Sequence, residues 1–251
     1  MSVTWTVEDA VATVEIDREE KLNALDLDAF RSIESILDAL DGDAAVRALI
    51  VRSAGTRAFS AGADIADLDG IDAQEASRRA TYRRGVFQKL YESRVPSVAF
   101  IDGLALGGGV ELALACSFRL ATPRATLAFP EIDLGLLPGA GGTQRLPKLI
   151  GEARALEMML TGRRVAAEEA LRIGLIDRIV ETAQDARQFA RQWCGHSAEA
   201  VAAIKRAIGN AHLPLDQGLR FEGEQLALLN GTGDSRARIE AFLASRRKTA
   251  P

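Results

Sequence analysis

A chain of 251 residues, 47% hydrophobic and 26% charged, is long enough for one large domain, or a domain with a smaller appendage, and has the balance of a soluble globular protein. Its 35 acidic residues outnumber the 31 basic ones, so no basic excess points to nucleic acid or to a membrane surface. No apolar stretch is long enough to span a bilayer, and residues 1–9 lack the basic head and apolar core of a secretory signal.

The alternation Val11-Ala12-Thr13-Val14-Glu15-Ile16 predicts a first strand. A charged turn over 17–21 leads to Leu22-Asn23-Ala24-Leu25. Asp26 or Asp28 then caps an amphipathic helix carrying Phe30, Ile33, Ile36, Leu37 and Leu40. Residues 46–51 read as a more fully buried strand. The loop over 53–65 that follows is built from small residues, with Ser60-Ala61-Gly62-Ala63 leaving the backbone open to approach. Residues 66–94 are polar, a mobile lead-in followed by a solvated amphipathic helix near 75–92, and a short strand over 98–101 delivers the chain to its most informative stretch.

That stretch is Gly107-Gly108-Gly109-Val110-Glu111-Leu112-Ala113-Leu114-Ala115-Cys116. A glycine triplet suits a tight turn, and the helix-forming run behind it puts the triplet at a helix N-terminus. Outward N–H groups there make a seat for an oxygen carrying negative charge. Gly108 and Glu111, three apart, share a face of that first turn. The pair therefore offers an oxyanion donor and an acid/base group to one space, although Glu111 taken alone could equally be a first-turn carboxylate complementing the helix dipole.

Short strands over 118–121 and 125–129 follow, then Pro130, which suits the start of a short helix with Glu131 in its first turn. The run Gly139-Ala140-Gly141-Gly142 looks like a phosphate cradle but lacks the Lys-Ser/Thr of a nucleotide-binding loop, and reads as a close-packed turn opening a helix that ends at Gly151. Helices over 152–160 and 166–173 and a last strand over 175–180 complete the alternating part. Beyond it the pattern is helical throughout, at 183–193, 198–209, 215–229 and 235–246. An all-helical tail on an α/β body often packs against another subunit.

The two cysteines, Cys116 and Cys194, have no metal-ligand spacing and no disulfide pattern, which fits a reducing, cytoplasmic setting. The two histidines, His196 and His212, stand apart from any Ser or Cys elbow. A Ser-His-Asp, Cys-His or zinc mechanism is thereby disfavoured. If the chain is an enzyme, carboxylates and backbone dipoles do the work.

Together these motifs resemble the enoyl-CoA hydratase/isomerase (crotonase) family. The carriers are Glu20-Lys21-Leu22-Asn23-Ala24-Leu25, Phe59-Ser60-Ala61-Gly62-Ala63-Asp64-Ile65, Gly107-Gly108-Gly109-Val110-Glu111, Phe129-Pro130-Glu131-Ile132 and Leu137-Pro138-Gly139-Ala140-Gly141-Gly142-Thr143-Gln144-Arg145-Leu146. The resemblance implies an α/β spiral of ββα units over residues 1–194 and a C-terminal helical trimerisation region over 195–251, assembled as a homotrimer or a dimer of trimers. It implies an acyl-CoA thioester substrate and no metal or redox cofactor, coenzyme A being part of the substrate, with no nucleic-acid or membrane partner. By the same resemblance the backbone N–H groups of Ala63 and Gly108 form the oxyanion hole, Glu111 is base to a water, and Glu131 donates a proton to Cα. Lys21, Leu22, Ala61, Asp64, Ile65 and Phe242 are the implied substrate and CoA contacts. Ser245 stands where the family often has a lysine, and no aromatic residue stands near Asn230. Because isomerases of the family commonly keep one of the two glutamates, the pair implies a 2-enoyl-CoA hydratase of fatty-acid β-oxidation type. An isomerase, a branched-chain (methylglutaconyl-type) hydratase and a non-catalytic acyl-CoA- or RNA-binding relative are the alternatives.

Overall fold

β1 (Val3–Glu8) and β2 (Val11–Ile16) form an antiparallel hairpin, with Asp9 and Ala10 both at positive φ in the turn that such a hairpin requires. β2 is the strand its alternation predicts. β1 is not marked by that signal, because only Val3 on it is buried; it is held by main-chain pairing and not by a core-facing stripe. The chain is described here from a computed structural model covering residues 2–248, except 65, 66, 68 and 69 and the side chains of 247 and 248. It divides into two units, Met1–Cys194 and Gly195–Pro251.

In the first unit, β3 (Ala48–Ser53), β5 (Ser97–Ile101), β7 (Phe118–Ala121) and β10 (Arg178–Ile179) extend the hairpin in parallel, giving the order β1-β2-β3-β5-β7-β10. A second sheet contains β4 (Ala58–Ser60), β6 (Leu104–Leu106), β8 (Thr126–Ala128) and β9 (Val165–Ala166) in the order β4-β6-β8-β9. Successive strands therefore alternate between the sheets, β3 then β4, β5 then β6, β7 then β8. α2 (Ala73–Glu92) and α3 (Gly108–Ala115) carry the chain back between these pairs. This is the expected spiral of ββα units. The strand expected over 175–180 shortens to two residues, because the N–H groups of Leu175 and Ile176 close the preceding helix by bonding to the Ala170 carbonyl.

α1 (Leu27–Gly42) starts at Asp26, whose side chain accepts from the Ala29 N–H at 2.8 Å, so Asp26 and not Asp28 is the cap. The helix buries Phe30, Ile33, Ile36, Leu37 and Leu40, and Phe30 meets Phe87 of α2 with ring centroids 5.2 Å apart. The far face of the six-stranded sheet, with Val11, Ile50, Val98 and Leu120, is covered by α7 (Ala183–Arg191). α3 is buried on every side from Gly109 to Ala115, the environment that its unbroken apolar sequence specifies. Glu111 is its one charged residue.

The turn before α1 is tied to the loop after β4. Asn23, fully buried and at φ 56°, accepts from the Arg18 N–H (2.9 Å) and donates to the carbonyls of Ala54 (3.1 Å) and Ala58 (2.7 Å). The backbone then runs beside residues 61–64, with Ala61 N–H donating to Leu22 O, Leu25 N–H to Gly62 O, and Asp64 N–H to Leu25 O. These bonds fix the small-residue loop along its length.

The second unit holds α8 (Ala198–Gly209), capped by Ser197, α9 (Leu215–Asn230) and α10 (Gly233–Lys248). Ile204, Ile208, Leu215, Leu219, Leu226 and Leu228 on α8 and α9 are all more than half exposed in the single chain. Among the described residues no helix is long and apolar enough to cross a membrane.

Asn23→Ala removes three hydrogen bonds and leaves buried carbonyls unpaired, and is expected to destabilise the protein by about 2–3 kcal/mol. The check is the midpoint of urea unfolding, with the slope unchanged.

Candidate active site

Two backbone amides from distant stretches face each other where β4 and β6 end. Gly107, at φ 49°, caps α3, and its N–H is taken by Ala128 O, while Gly108 is the first residue of the helix and its N–H has no place in the helical ladder. Across from it lies the 62–64 loop: a Cβ added to Gly108 would stand 3.2 Å from the Ala63 nitrogen, and one added to Gly62 3.0 Å from the Gly108 nitrogen. Only glycine at these positions lets the two strands of backbone come so close. Among the described residues, neither the Ala63 nor the Gly108 N–H donates to a protein acceptor. They form a pair of unengaged backbone donors close to one another at the start of α3.

Glu111, one helical turn along, is 3% exposed. Its Oε1 accepts from the Ala140 N–H at 2.7 Å and the Gly142 N–H at 2.8 Å. The run read as a phosphate cradle thus cradles the chain's own carboxylate, at the start of α4 (Gly142–Ile150). Burial pushes the Glu111 carboxyl above the usual range. The Gly142 and Ala140 amides and the Arg145 guanidinium oppose that rise.

Glu131 sits in the 3-10 turn Pro130–Leu134. Its carboxyl lies against Gly107, where an added Cβ would be 2.5 Å from Oε1, and its buried Oε2 has no hydrogen-bond partner among the described residues. Burial, with the neighbouring Glu111 charge adding to it, raises its pKa from 4.5 to about 7. One acid is held by two amides while the other keeps one oxygen without a donor, which separates their proton affinities.

The other residues singled out in the sequence are distributed as follows. Lys21 pairs with Asp64 at 3.1 Å, and Asp64 also meets Arg18 at 3.4 Å; Leu22 and Ala61 join through their backbone. Lys21, Leu22, Ala61 and Asp64 are thus tied together around the loop that carries Ala63. Ile65 falls outside the described residues. Phe242 belongs to the second unit, on α10, exposed, with the Arg246 guanidinium 5.0 Å above its ring. Three participants carried no functional assignment from the sequence: the amides of Ala140 and Gly142, and Arg145 behind them. Their signal was the close-packed glycine turn, whose partner lies about thirty residues upstream. Among the described residues no group of three His, Cys, Asp or Glu is placed to hold a metal ion.

Two unengaged backbone amides, one buried and one partly buried carboxyl and a spiral of ββα units are found together in a known kind of enzyme. Residues 6–248 match the family model for enoyl-CoA hydratase/isomerase, and the chain belongs to that family. It is 34% identical over 244 residues to the short-chain-enoyl-CoA hydratase of Clostridium acetobutylicum, spanning 96% of this chain and 94% of that one. It is also 34% identical to the crotonyl-CoA hydratase of Syntrophomonas wolfei subsp. wolfei, with the same shares covered. A crystal structure of enoyl-CoA hydratase from Bacillus anthracis superposes with a TM-score of 0.92 at 34% identity, over 100% of this chain and 98% of that one.

Between pH 4.5 and about 7 the folded chain holds a proton on Glu131 that the unfolded chain releases, so this group's contribution to stability falls as pH rises through that window. A carbon-13 titration of the Glu131 carboxyl is expected to show a midpoint of about 7. In Gly107→Ala the added methyl displaces the carboxyl toward water, and the midpoint is expected to drop toward 4.5. An unmoved midpoint would mean the turn had absorbed the methyl some other way.

Proposed function

We propose that the protein is a 2-enoyl-CoA hydratase, adding water reversibly and syn across a trans-2-enoyl-CoA to give the 3-hydroxyacyl-CoA. The observation that carries this reading is the Glu131 carboxyl, with its Oε2 lacking a partner among the described residues, lying on the same glycine turn that presents the Gly108 amide and opens the Glu111 helix. In this reading the thioester oxygen sits between the Ala63 and Gly108 N–H groups. Glu111, its Oε1 already engaged, uses Oε2 to take a proton from water as the water oxygen bonds to Cβ. The C2–C3 π electrons move toward the thioester, and the enolate oxygen that forms is held by the two amides, each worth roughly 3–4 kcal/mol of barrier. Glu131 then gives its proton to Cα. The cycle closes when the proton left on Glu111 is passed to Glu131. No metal or redox group enters the scheme, and coenzyme A arrives as part of the substrate. Lys21, Leu22, Ala61, Asp64, Ile65 and Phe242 are proposed as its contacts.

The relatives' names support the same chemistry, being those of a short-chain-enoyl-CoA hydratase and a crotonyl-CoA hydratase. Double-bond migration needs one carboxyl to move a single proton between two carbons, and the retention of a second acid favours hydration over it. We propose further that the chain assembles as a trimer or a dimer of trimers in the cytoplasm. The exposed leucines and isoleucines of α8 and α9 support an assembled form, since a monomer in water gains nothing by presenting them.

Crotonyl-CoA is expected to lose its conjugated thioester absorbance when mixed with the protein, and 3-enoyl-CoA offered in parallel to react slowly or not at all. Glu111→Gln and Glu131→Gln should each lower kcat by roughly 10²–10⁴-fold with the fold intact. Wild-type rates in either variant would remove that glutamate from the scheme. Because Glu131 must carry its proton, kcat/KM for hydration should fall as pH rises through about 7, and the residual activity of Glu131→Gln should lack that descending limb. Light scattering should report three or six times the 26.9 kDa chain mass; a monomer would overturn the assembly.

A further inference from the structure

The proposed chemistry leaves Arg145 unused, yet its side chain is the most heavily engaged group behind the Glu111 carboxylate. It rises from the first turns of α4, and its Nη1 donates to the Ala140 carbonyl at 3.2 Å. Its Nη2 donates to Gln88 Oε1 of α2 at 2.8 Å, and its guanidinium lies 5.4 Å over the Tyr91 ring, also on α2. A Cβ on Gly141 would collide with Nη1, so the guanidinium is pressed directly against the turn. The Ala140 residue is thus held from both directions: its N–H grips Glu111 Oε1 and its C=O is gripped by Arg145.

We propose that Arg145 is a positioning residue that braces the Gly139–Gly142 turn against α2, so that the Ala140 and Gly142 amides hold Oε1 of Glu111 and leave its Oε2 turned to the reacting water. This rests on the reading of Glu111 as the base. A planar fork is suited to the task because it reaches a carbonyl, an amide oxygen and a ring face at once, which an ammonium cannot. The charged groups that face Glu111 are Arg145 from α4, Arg83 from α2 and Glu131 from the 3-10 turn. Substitution of Arg145 alters the first and leaves the other two in place. Loss of that positive charge favours the protonated form of Glu111, so a base that must be ionised is available only at higher pH.

The test compares kcat, KM and the pH profile for crotonyl-CoA in wild type, Arg145→Gln and Arg145→Lys, with thermal melts on each. Arg145→Gln is expected to lower kcat by about 10- to 100-fold, to leave KM within about threefold, and to move the acid limb of the kcat/KM profile up by about one pH unit. Arg145→Lys, which keeps charge and loses the fork, should restore the acid limb while kcat stays depressed. Should the Arg145 variants fail to fold, Gln88→Ala and Tyr91→Leu remove the supports on α2, and the same drop in kcat at constant KM is expected in smaller measure. A lowered melting temperature with kcat and the acid limb both unmoved would overturn the positioning role, as would wild-type kinetics in Gln88→Ala and Tyr91→Leu. If wild type itself fails to hydrate crotonyl-CoA, the proposed function falls first; if wild type is active and Arg145→Gln matches it, this inference alone falls.

Discussion

Everything in the site depends on one unfavourable act, the burial of the Glu111 carboxyl inside a helix that is otherwise apolar and covered on all sides. A carboxylate in such a place is tolerated only when its oxygens find donors. Two are supplied to one oxygen by the turn at Ala140 and Gly142. The requirement propagates outward. The turn must be glycine-rich for its amides to converge, and it must open α4 so that those amides are not consumed by a helical ladder. It must also be held against the body of the protein, where Arg145 reaches across to α2.

The second acid is handled in the opposite manner. Glu131 is placed where, among the described residues, one of its oxygens has no donor, beside a glycine whose added Cβ would meet its carboxyl. Supporting one carboxyl and withholding support from the other is a simple way to separate their proton affinities without a metal or a histidine.

The spiral architecture is what allows small strands to do this work. β4, β6 and β8 are three residues each, too short to stand alone, but pairing side by side they align the loops that follow them. The 62–64 loop after β4 and the glycine turn after β6 are brought face to face in that way. The Asn23 turn, bonded to the carbonyls of Ala54 and Ala58, then locks the first of these loops along its outer side. Backbone geometry, and not side-chain chemistry, creates the donor pair.

The strand β2, the capped helix α1 and the glycine turn opening α3 were legible in the residues themselves, because period, cap and turn are local signals. So was the oddity of Glu111, one acid in an apolar helix. The exposed edge strand β1, the three-residue strands β4 and β6 and the identity of the α1 cap were not, since main-chain pairing leaves little trace in side-chain pattern over so few residues, although the equally short β8 was legible within 125–129. The convergence of the site was likewise invisible locally: Ala63 meets Gly108, and Glu111 meets Ala140 and Gly142, across gaps of tens of residues. By itself the sequence determined which groups are available, two acids and several stretches of bare backbone, because composition and local conformation reside in neighbouring residues. Only the tertiary structure decided which amide faces which, which acid is held by two amides and which keeps an oxygen without a donor, because hydrogen bonds and desolvation depend on distance in space and not on separation along the chain.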